Sequence, residues 1–193
     1  MTMDILYVAV IIIVLVQDCL AASCQAQGSC FTADCKGLRL KSVPRAFTLN
    51  CTKIDLSNNM LTSIKSGAFK GLTNTTTLWL GKNQITSIDK SSFKGLKNLS
   101  HLDLNYNQLD CIKTGTFTGL ENLHELLLSS NQITSIDNGS FKELKNLILL
   151  DLNYNQLACI KTGTFTGLKN LHELYLNSSK ITSIDNSSFE GLK

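Results

Sequence analysis

A column of six side chains, spaced 24 residues apart, carries two kinds of chemistry that protein recognition uses. Carboxylates alternate in this column with large apolar groups. A carboxylate pairs with cations, and an apolar side chain left in water beside it is typical of a binding anchor. The six residues are Asp55, Trp79, Asp103, Leu127, Asp151 and Tyr175. The column therefore favours binding, although strand positions facing solvent also accept aromatic residues for their β-propensity alone.

Catalytic chemistry is not indicated by the histidines near this column. His101 lies two residues before Asp103, and a His-Glu pair occurs at 124–125 and again at 172–173. Neither pair completes the H-E-x-x-H pattern of a zinc protease, and no glycine-rich phosphate loop follows a predicted strand. An enzyme also needs a concave pocket with convergent polar groups. We therefore expect no catalytic residue, no metal and no cofactor.

The strands that must position the column are predicted by a shorter period. In every repeat two apolar columns lie two residues apart, as Leu102 and Leu104 do, which places both on one face of a short strand. The residues between and beside them then point to the opposite face. Stacked strands would form a parallel sheet with about 4.8 Å between neighbours. Besides the column, the exposed face is predicted to carry His101, Glu125, Leu149 and Glu173.

Two further columns predict the interior. Phenylalanine recurs every 24 residues from Phe69 to Phe189, which is typical of a packing spine. Asparagine recurs from Asn59 to Asn155, and Ser179 takes its place in the sixth repeat. A buried asparagine amide offers two donors and an acceptor to the backbone of a tight turn. Both columns are therefore interpreted as structural.

The complete pattern resembles a known repeat. Residues 99–120 read L-x-x-L-x-L-x-x-N-x-L-x-x-I-x-x-x-x-F-x-x-L, which resembles the 24-residue extracellular leucine-rich repeat, and the resemblance covers residues 51–193. Upstream, C-x4-L-x2-V-P at 35–44 resembles the end of the cysteine-rich cap of such proteins, although the C-x-C pair usual before it is missing. Ectodomains of variable lymphocyte receptors, Toll-like receptors and Slit-type proteins share this organisation.

The resemblance implies a fold and a function. The fold is an α/β repeat solenoid, a right-handed horseshoe with a parallel concave β-sheet, a mostly irregular or short helical convex side and a disulfide-bonded N-terminal cap. The function is extracellular recognition by a receptor ectodomain fragment, in innate or adaptive-like immunity, with ligand on the concave face. The alternative is a secreted matrix protein that organises other macromolecules.

The N terminus predicts the secretory route. Residues 5–16 form an apolar run of 12, shorter than the ~20 residues of a membrane span, and small residues follow. We predict a signal peptide at 1–23, a cysteine-rich cap at 24–50 and about six repeats at 51–193, with no C-terminal cap. The disulfide candidates, whose pairing stays open, are Cys24, Cys30, Cys35 and Cys51. The glycosylation candidates are Asn50, Asn74, Asn98, Asn138, Asn177 and Asn186.

A longer duplication is nested in the repeats. Residues 102–125 and 150–173 match at 22 of 24 positions. The duplication contains Cys111 and Cys159, which two coils would separate by about 10 Å, beyond disulfide reach. We expect small half-buried thiols, and an intermolecular disulfide is the alternative.

The distribution of charge over the predicted sheet face limits which class of ligand it can bind. The formal charge is +3, but the predicted sheet face carries five carboxylates and one lysine, while most lysines lie elsewhere in the repeat. Such a face suits a basic or mixed protein ligand, or a glycan, and would repel a polyanion. We therefore expect a protein ligand, no nucleic acid, and membrane attachment only through a segment beyond Lys193.

Overall fold

The computed structural model describes residues 31–44, 51–190 and 192. Predictions about the signal peptide, Cys24, Cys30 and Asn50 lie outside these residues. From residue 51 onward the chain forms six coils of the 24-residue repeat, numbered here 1 to 6 and beginning at residues 51, 75, 99, 123, 147 and 171. No helix in the described part of the chain is long and apolar enough to cross a membrane.

A seven-stranded parallel sheet runs the length of the solenoid. Every strand pairs in register with the next, so residues 24 apart in coils 1 to 6 lie side by side. Residues 32–34, in the predicted cap, add one strand before coil 1. The strands are β1 (Thr32–Asp34), β2 (Lys53–Asp55), β4 (Thr77–Trp79), β6 (His101–Asp103), β8 (Glu125–Leu127), β10 (Leu149–Asp151) and β12 (Glu173–Tyr175). The predicted parallel sheet is confirmed.

Shorter strands form three separate pairs beside this sheet, each joining two coils of one 48-residue unit. The pairs are β3 (Ser63–Ile64) with β5 (Ser87–Ile88), β7 (Cys111–Ile112) with β9 (Ser135–Ile136), and β11 (Cys159–Ile160) with β13 (Ser183–Ile184). In each pair a threonine hydroxyl of the second coil donates to a carbonyl of the first, as Thr134 does to Asp110 at 3.1 Å.

The side opposite the sheet consists of turns, and the described residues contain no helix. The predicted irregular convex side is therefore observed, but its short helical element is not. Turns of four residues suffice here, because a hydrogen bond such as that from Lys94 N–H to the Ser91 carbonyl closes each one. Cys111 and Cys159 lie in different strand pairs and are free, half-buried thiols, as predicted.

The asparagine column is a buried ladder that joins consecutive coils. Asn107 is 6 % exposed, and its Nδ2 donates to the Leu80 carbonyl of the preceding coil and to the Leu104 carbonyl of its own, both at 3.0 Å. Its Oδ1 accepts from Ile85 N–H of the preceding coil at 3.0 Å. The same bonds are made by Asn59, Asn83, Asn131 and Asn155. The ladder ends at Ser179, whose Oγ is buried without a partner in the described residues.

The phenylalanine column is a continuous stack in the core. Successive rings lie 5.6 to 6.5 Å apart between centroids and within 18° of parallel. The stack is buried from Phe69 to Phe165, but Phe189 in coil 6 is 40 % exposed. At the other end of the core, Cys35 and Cys51 are fully buried and neither is a free thiol. The pairing among Cys24, Cys30, Cys35 and Cys51 stays open.

Replacing one rung of the asparagine ladder should destabilise the array. Asn107→Ala leaves two carbonyls and one N–H without their partner, which should cost about 1–3 kcal/mol of unfolding free energy. Chemical denaturation followed by circular dichroism measures the change. Gln108→Ala, an exposed neighbour, is the matched control and should shift stability by less than about 0.5 kcal/mol. Equal stability of the Asn107 variant and wild type would disprove the ladder's role.

Extending the ladder to the sixth coil should stabilise the protein. In Ser179→Asn the new amide can reach the carbonyls of Leu152 and Leu176, as Asn155 reaches those of Leu128 and Leu152. We expect a gain of about 1 kcal/mol. Ser179→Ala only removes the unpartnered hydroxyl and should gain less. If the alanine variant is the more stable of the two, the hydrogen bonds are not the cause.

Candidate functional site

The candidate site is the sheet face, defined as the first and third residues of strands β2, β4, β6, β8, β10 and β12. Strand pairing places the predicted column in one row across these strands. Within the row Trp79 lies between Asp55 and Asp103, and Leu127 lies between Asp103 and Asp151. The sequence prediction of which residues share this face therefore holds for the backbone register.

Exposure along the row differs from the prediction. Trp79, predicted as exposed, is half-buried between Asp55 and Asp103 of the adjacent strands, which lie about 4.8 Å away. Leu127 and Leu149 are also half-buried, whereas Tyr175 at the last coil is 39 % exposed. The apolar side chains of the sheet face are thus only partly accessible to solvent, except at the last coil.

The three aspartates of the row hold the turn that follows each strand. Asp55, Asp103 and Asp151 each accept, through Oδ1, the N–H of the residue two positions later, at 2.8 to 2.9 Å. This bond is a structural reason for an acid at these positions. It engages Oδ1 of each carboxylate.

Asp103 is half-buried in the row. It packs over Gly81, where an added Cβ would meet its Oδ2 at 2.9 Å, so glycine at this position makes room for the carboxylate. Burial raises the pKa of Asp103, and the nearby charge of Asp55 adds to that. The Asn105 N–H bond and the positive charge of Lys82 act in the opposite direction.

Polar pairs occupy the rest of the face. His101 Nε2 lies 3.4 Å from Glu125 Oε1, with both side chains more than two-fifths exposed. The Tyr175 hydroxyl donates to Glu173 at 2.5 Å, and this bond raises the pKa of Tyr175. A shallow depression over the middle coils is lined by Lys53, Thr77, Trp79, His101, Leu102, Asp103, Glu125 and Leu127. Five of the ten predicted site residues therefore line this depression.

Two features of this surface were missed by the sequence analysis. Asn105 and Asn153 accept, through Oδ1, the backbone N–H of Ser129 and Asn177 in the following coil, both at 2.7 Å. Next to them, Tyr106 and Tyr154 are 58 % and 64 % exposed and have positive φ. The signal was the pentapeptide D-L-N-Y-N, present in both copies of the duplication.

Metal chemistry has no support in the described residues, since no group of three or more His, Cys, Asp or Glu side chains there could hold an ion. His101 and Glu125 form only a pair. What the arrangement can do is bind, through carboxylate oxygens and apolar surfaces displayed side by side.

Comparisons with known proteins agree with the repeat architecture. The leucine rich repeat family matches overlapping segments at residues 49–109, 73–133, 104–157, 121–181 and 150–193. Among solved structures, TLR13 in a complex with ssRNA13 is similar, with a TM-score of 0.74 and 32 % identity, over 79 % of this chain and 22 % of that one. Toll in the Toll–Spatzle complex, from Drosophila, matches with a TM-score of 0.74 and 24 % identity, over 81 % of this chain and 23 % of that one. The chain spans less than a quarter of either structure's length.

The raised pKa of Asp103 gives a pH-dependent stability. An acid whose pKa is higher in the folded state contributes stability below its unfolded pKa of about 4 and loses it as pH rises through the folded pKa. Asp103→Asn keeps an acceptor for Asn105 N–H but carries no charge. We expect the asparagine variant to melt above wild type at pH 7 and to lose that advantage near pH 3.5, as measured by thermal denaturation.

Asp103→Ala is the matched control for that experiment. It removes the charge and the acceptor together, so it should not share the gain at pH 7. An asparagine variant that melts below wild type at pH 7 would contradict the role of burial.

Proposed function

This chain belongs to the leucine-rich repeat family, and we propose that it is an extracellular recognition module whose sheet face binds a protein ligand. The ligand-binding residues of this proposal are those predicted from the sequence: Asp55, Trp79, His101, Asp103, Glu125, Leu127, Leu149, Asp151, Glu173 and Tyr175. Binding rather than catalysis fits a broad surface whose polar groups do not converge.

The observation that carries the proposal is the row itself. Acid and apolar side chains alternate coil by coil in one register across the sheet. The core is complete without them, because the buried strand residue and the phenylalanine stack supply it. Solvent-facing Trp, Leu and Tyr beside carboxylates therefore serve contacts outside the chain better than contacts within it.

The charge of the face indicates what the ligand offers to it. Five carboxylates on the face contrast with the exposed lysines on other surfaces of the coils, such as Lys70, Lys94 and Lys142. A ligand with basic and apolar side chains complements such a face, and electrostatic complementarity sets specificity and association rate.

The similar solved structures support an extracellular or membrane-surface setting, since one is Toll with Spatzle and the other is a Toll-like receptor. The second is named with ssRNA13, so the expectation that nucleic acid is excluded has no support from it. The carboxylates would repel a polyanion from the sheet face itself. Single-stranded RNA therefore belongs among the ligands tested.

A secreted matrix role is the second candidate. The glycosylation candidates within the described residues are all exposed: Asn74, Asn98, Asn138, Asn177 and Asn186. Asn177 follows β12 by two residues, so a glycan there would cover the last coil of the face. Glycans at the other four positions would leave the depression accessible, so they are compatible with a ligand bound there.

Trp79→Ala should separate binding from folding. Because this residue is the only tryptophan of the chain, its fluorescence in the wild-type protein reports a ligand on the face directly. The full chain, secreted from cultured cells, is tested against an array of extracellular proteins, heparin and single-stranded RNA. For a protein ligand, Trp79→Ala should weaken binding roughly tenfold or more, the scale of an aromatic anchor.

Stability provides the control for this test. Lys97→Ala, exposed and outside the sheet face, should leave binding unchanged. The melting temperature of Trp79→Ala should fall far less than that of Asn107→Ala. If binding and stability are lost together, Trp79 is structural, and if RNA binds with unchanged tryptophan fluorescence, another surface carries the function.

A further inference from the structure

The nested duplication places the same local structure at two points along the rim of the sheet. The N–H of Lys82 in coil 2 donates to the Asn105 carbonyl in coil 3 at 2.9 Å, next to Tyr106. The N–H of Ser130 in coil 4 donates to the Asn153 carbonyl in coil 5 at 3.0 Å, next to Tyr154. All four residues beside these carbonyls have φ between +53° and +55°. Lys82 therefore occupies the same position relative to Tyr106 as Ser130 occupies relative to Tyr154.

At the first point, a lysine of the chain itself lies over the tyrosine ring. Lys82 Nζ lies 5.9 Å from the centroid of the Tyr106 ring, over its face. The same ammonium acts electrostatically on Asp103, three residues before that tyrosine. An ammonium over an aromatic face and near a carboxylate is attracted by both.

At the second point, the ring and the acid recur without the cation. Tyr154 and Asp151 are the counterparts of Tyr106 and Asp103, but Ser130 carries no charge. Among the described residues, cations lie over the rings of Phe31 and Tyr106, and no such contact involves Tyr154. The Tyr154 ring is 64 % exposed.

Tyrosine at this position is not explained by the stability of the turn. The position has positive φ in every coil, and the residues there in the other coils are Asn58, Lys82, Ser130 and Ser178. A bulky side chain is disfavoured in this conformation, whereas asparagine adopts it readily. The cost of tyrosine, together with the exposure of its ring, points to a role outside the fold.

We propose that Tyr154 and Asp151 form a subsite for an arginine side chain of the protein ligand, in the arrangement that Lys82 shows at Tyr106 and Asp103. This inference rests on the proposed function and names the side chain that the ligand offers at coil 5. Arginine suits the subsite because its planar guanidinium can stack on the ring and donate to the carboxylate Oδ2 at once. The carboxylates of the sheet face around the subsite also favour a positively charged side chain.

The subsite can be tested with a small probe. The full chain is labelled with ¹³C on its tyrosine rings and titrated with N-acetyl-arginine methylamide by NMR. The neutral isostere N-acetyl-citrulline methylamide is the control probe, and Tyr154→Phe assigns the signal. We expect a saturable shift of the Tyr154 signal with arginine, little with citrulline, and a smaller response at Tyr106, where Lys82 competes.

Exchanging the residues of the preceding coils supplies matched variants. Ser130→Lys should place an ammonium over Tyr154 and weaken arginine binding there roughly two- to fivefold, the range of an exposed cation–π contact. Lys82→Ser should make Tyr106 respond as Tyr154 does. Both positions share one backbone conformation, so either residue fits.

The outcomes separate this inference from the proposed function. Equal shifts with citrulline and arginine, or an unchanged arginine response in Ser130→Lys, would overturn the subsite. The probe needs no macromolecular ligand, so Trp79→Ala should retain the arginine response even where it loses the protein ligand. A chain that binds arginine at Tyr154 but shows no ligand sensitive to Trp79 would keep the subsite and refute the proposed function.

Discussion

The buried asparagine of coils 1 to 5 makes the interaction on which the rest of the structure depends. Its amide bonds two carbonyls and one N–H at the turn where the strand ends, and two of these three groups belong to the preceding coil. Leaving them unpaired in the interior would cost more than packing could return at that point. The ladder therefore locks successive coils in register, and register is what turns a 24-residue sequence period into columns of side chains.

Once the register is fixed, different residues of each coil form the core and the exposed sheet face. The middle strand residue and the phenylalanine of every coil fill the interior, so the flanking strand residues are free to vary. Variation there is visible along the row from Asp55 to Tyr175, while the column containing Leu102 hardly changes. In a solenoid each coil contacts only its neighbours, so the exposed residues of one coil can change without disturbing distant coils.

The sequence was sufficient for everything that depends on period alone. The parallel sheet, the phenylalanine stack, the asparagine ladder and the separation of Cys111 from Cys159 all follow from counting residues. It was not sufficient where contact between coils decides the outcome. The half-burial of Trp79, the space that Gly81 leaves for Asp103 and the reach of Lys82 to Tyr106 depend on distances across the sheet. The missing helical element likewise depends on how short turns are closed.

The two copies of the duplication share a scaffold but differ in the residues that surround them. Residues 102–125 and 150–173 are nearly identical, yet the surfaces beside their tyrosines differ, because the preceding coil contributes a different residue to each. Lys82 of the preceding coil lies over the Tyr106 ring, and the residue at the corresponding position before Tyr154 is Ser130. Copying a 48-residue unit therefore repeats the scaffold faithfully, while the coil that happens to precede each copy determines its charge. A single substitution at position 82 or 130 would therefore change the charge beside one tyrosine without altering the tyrosine itself.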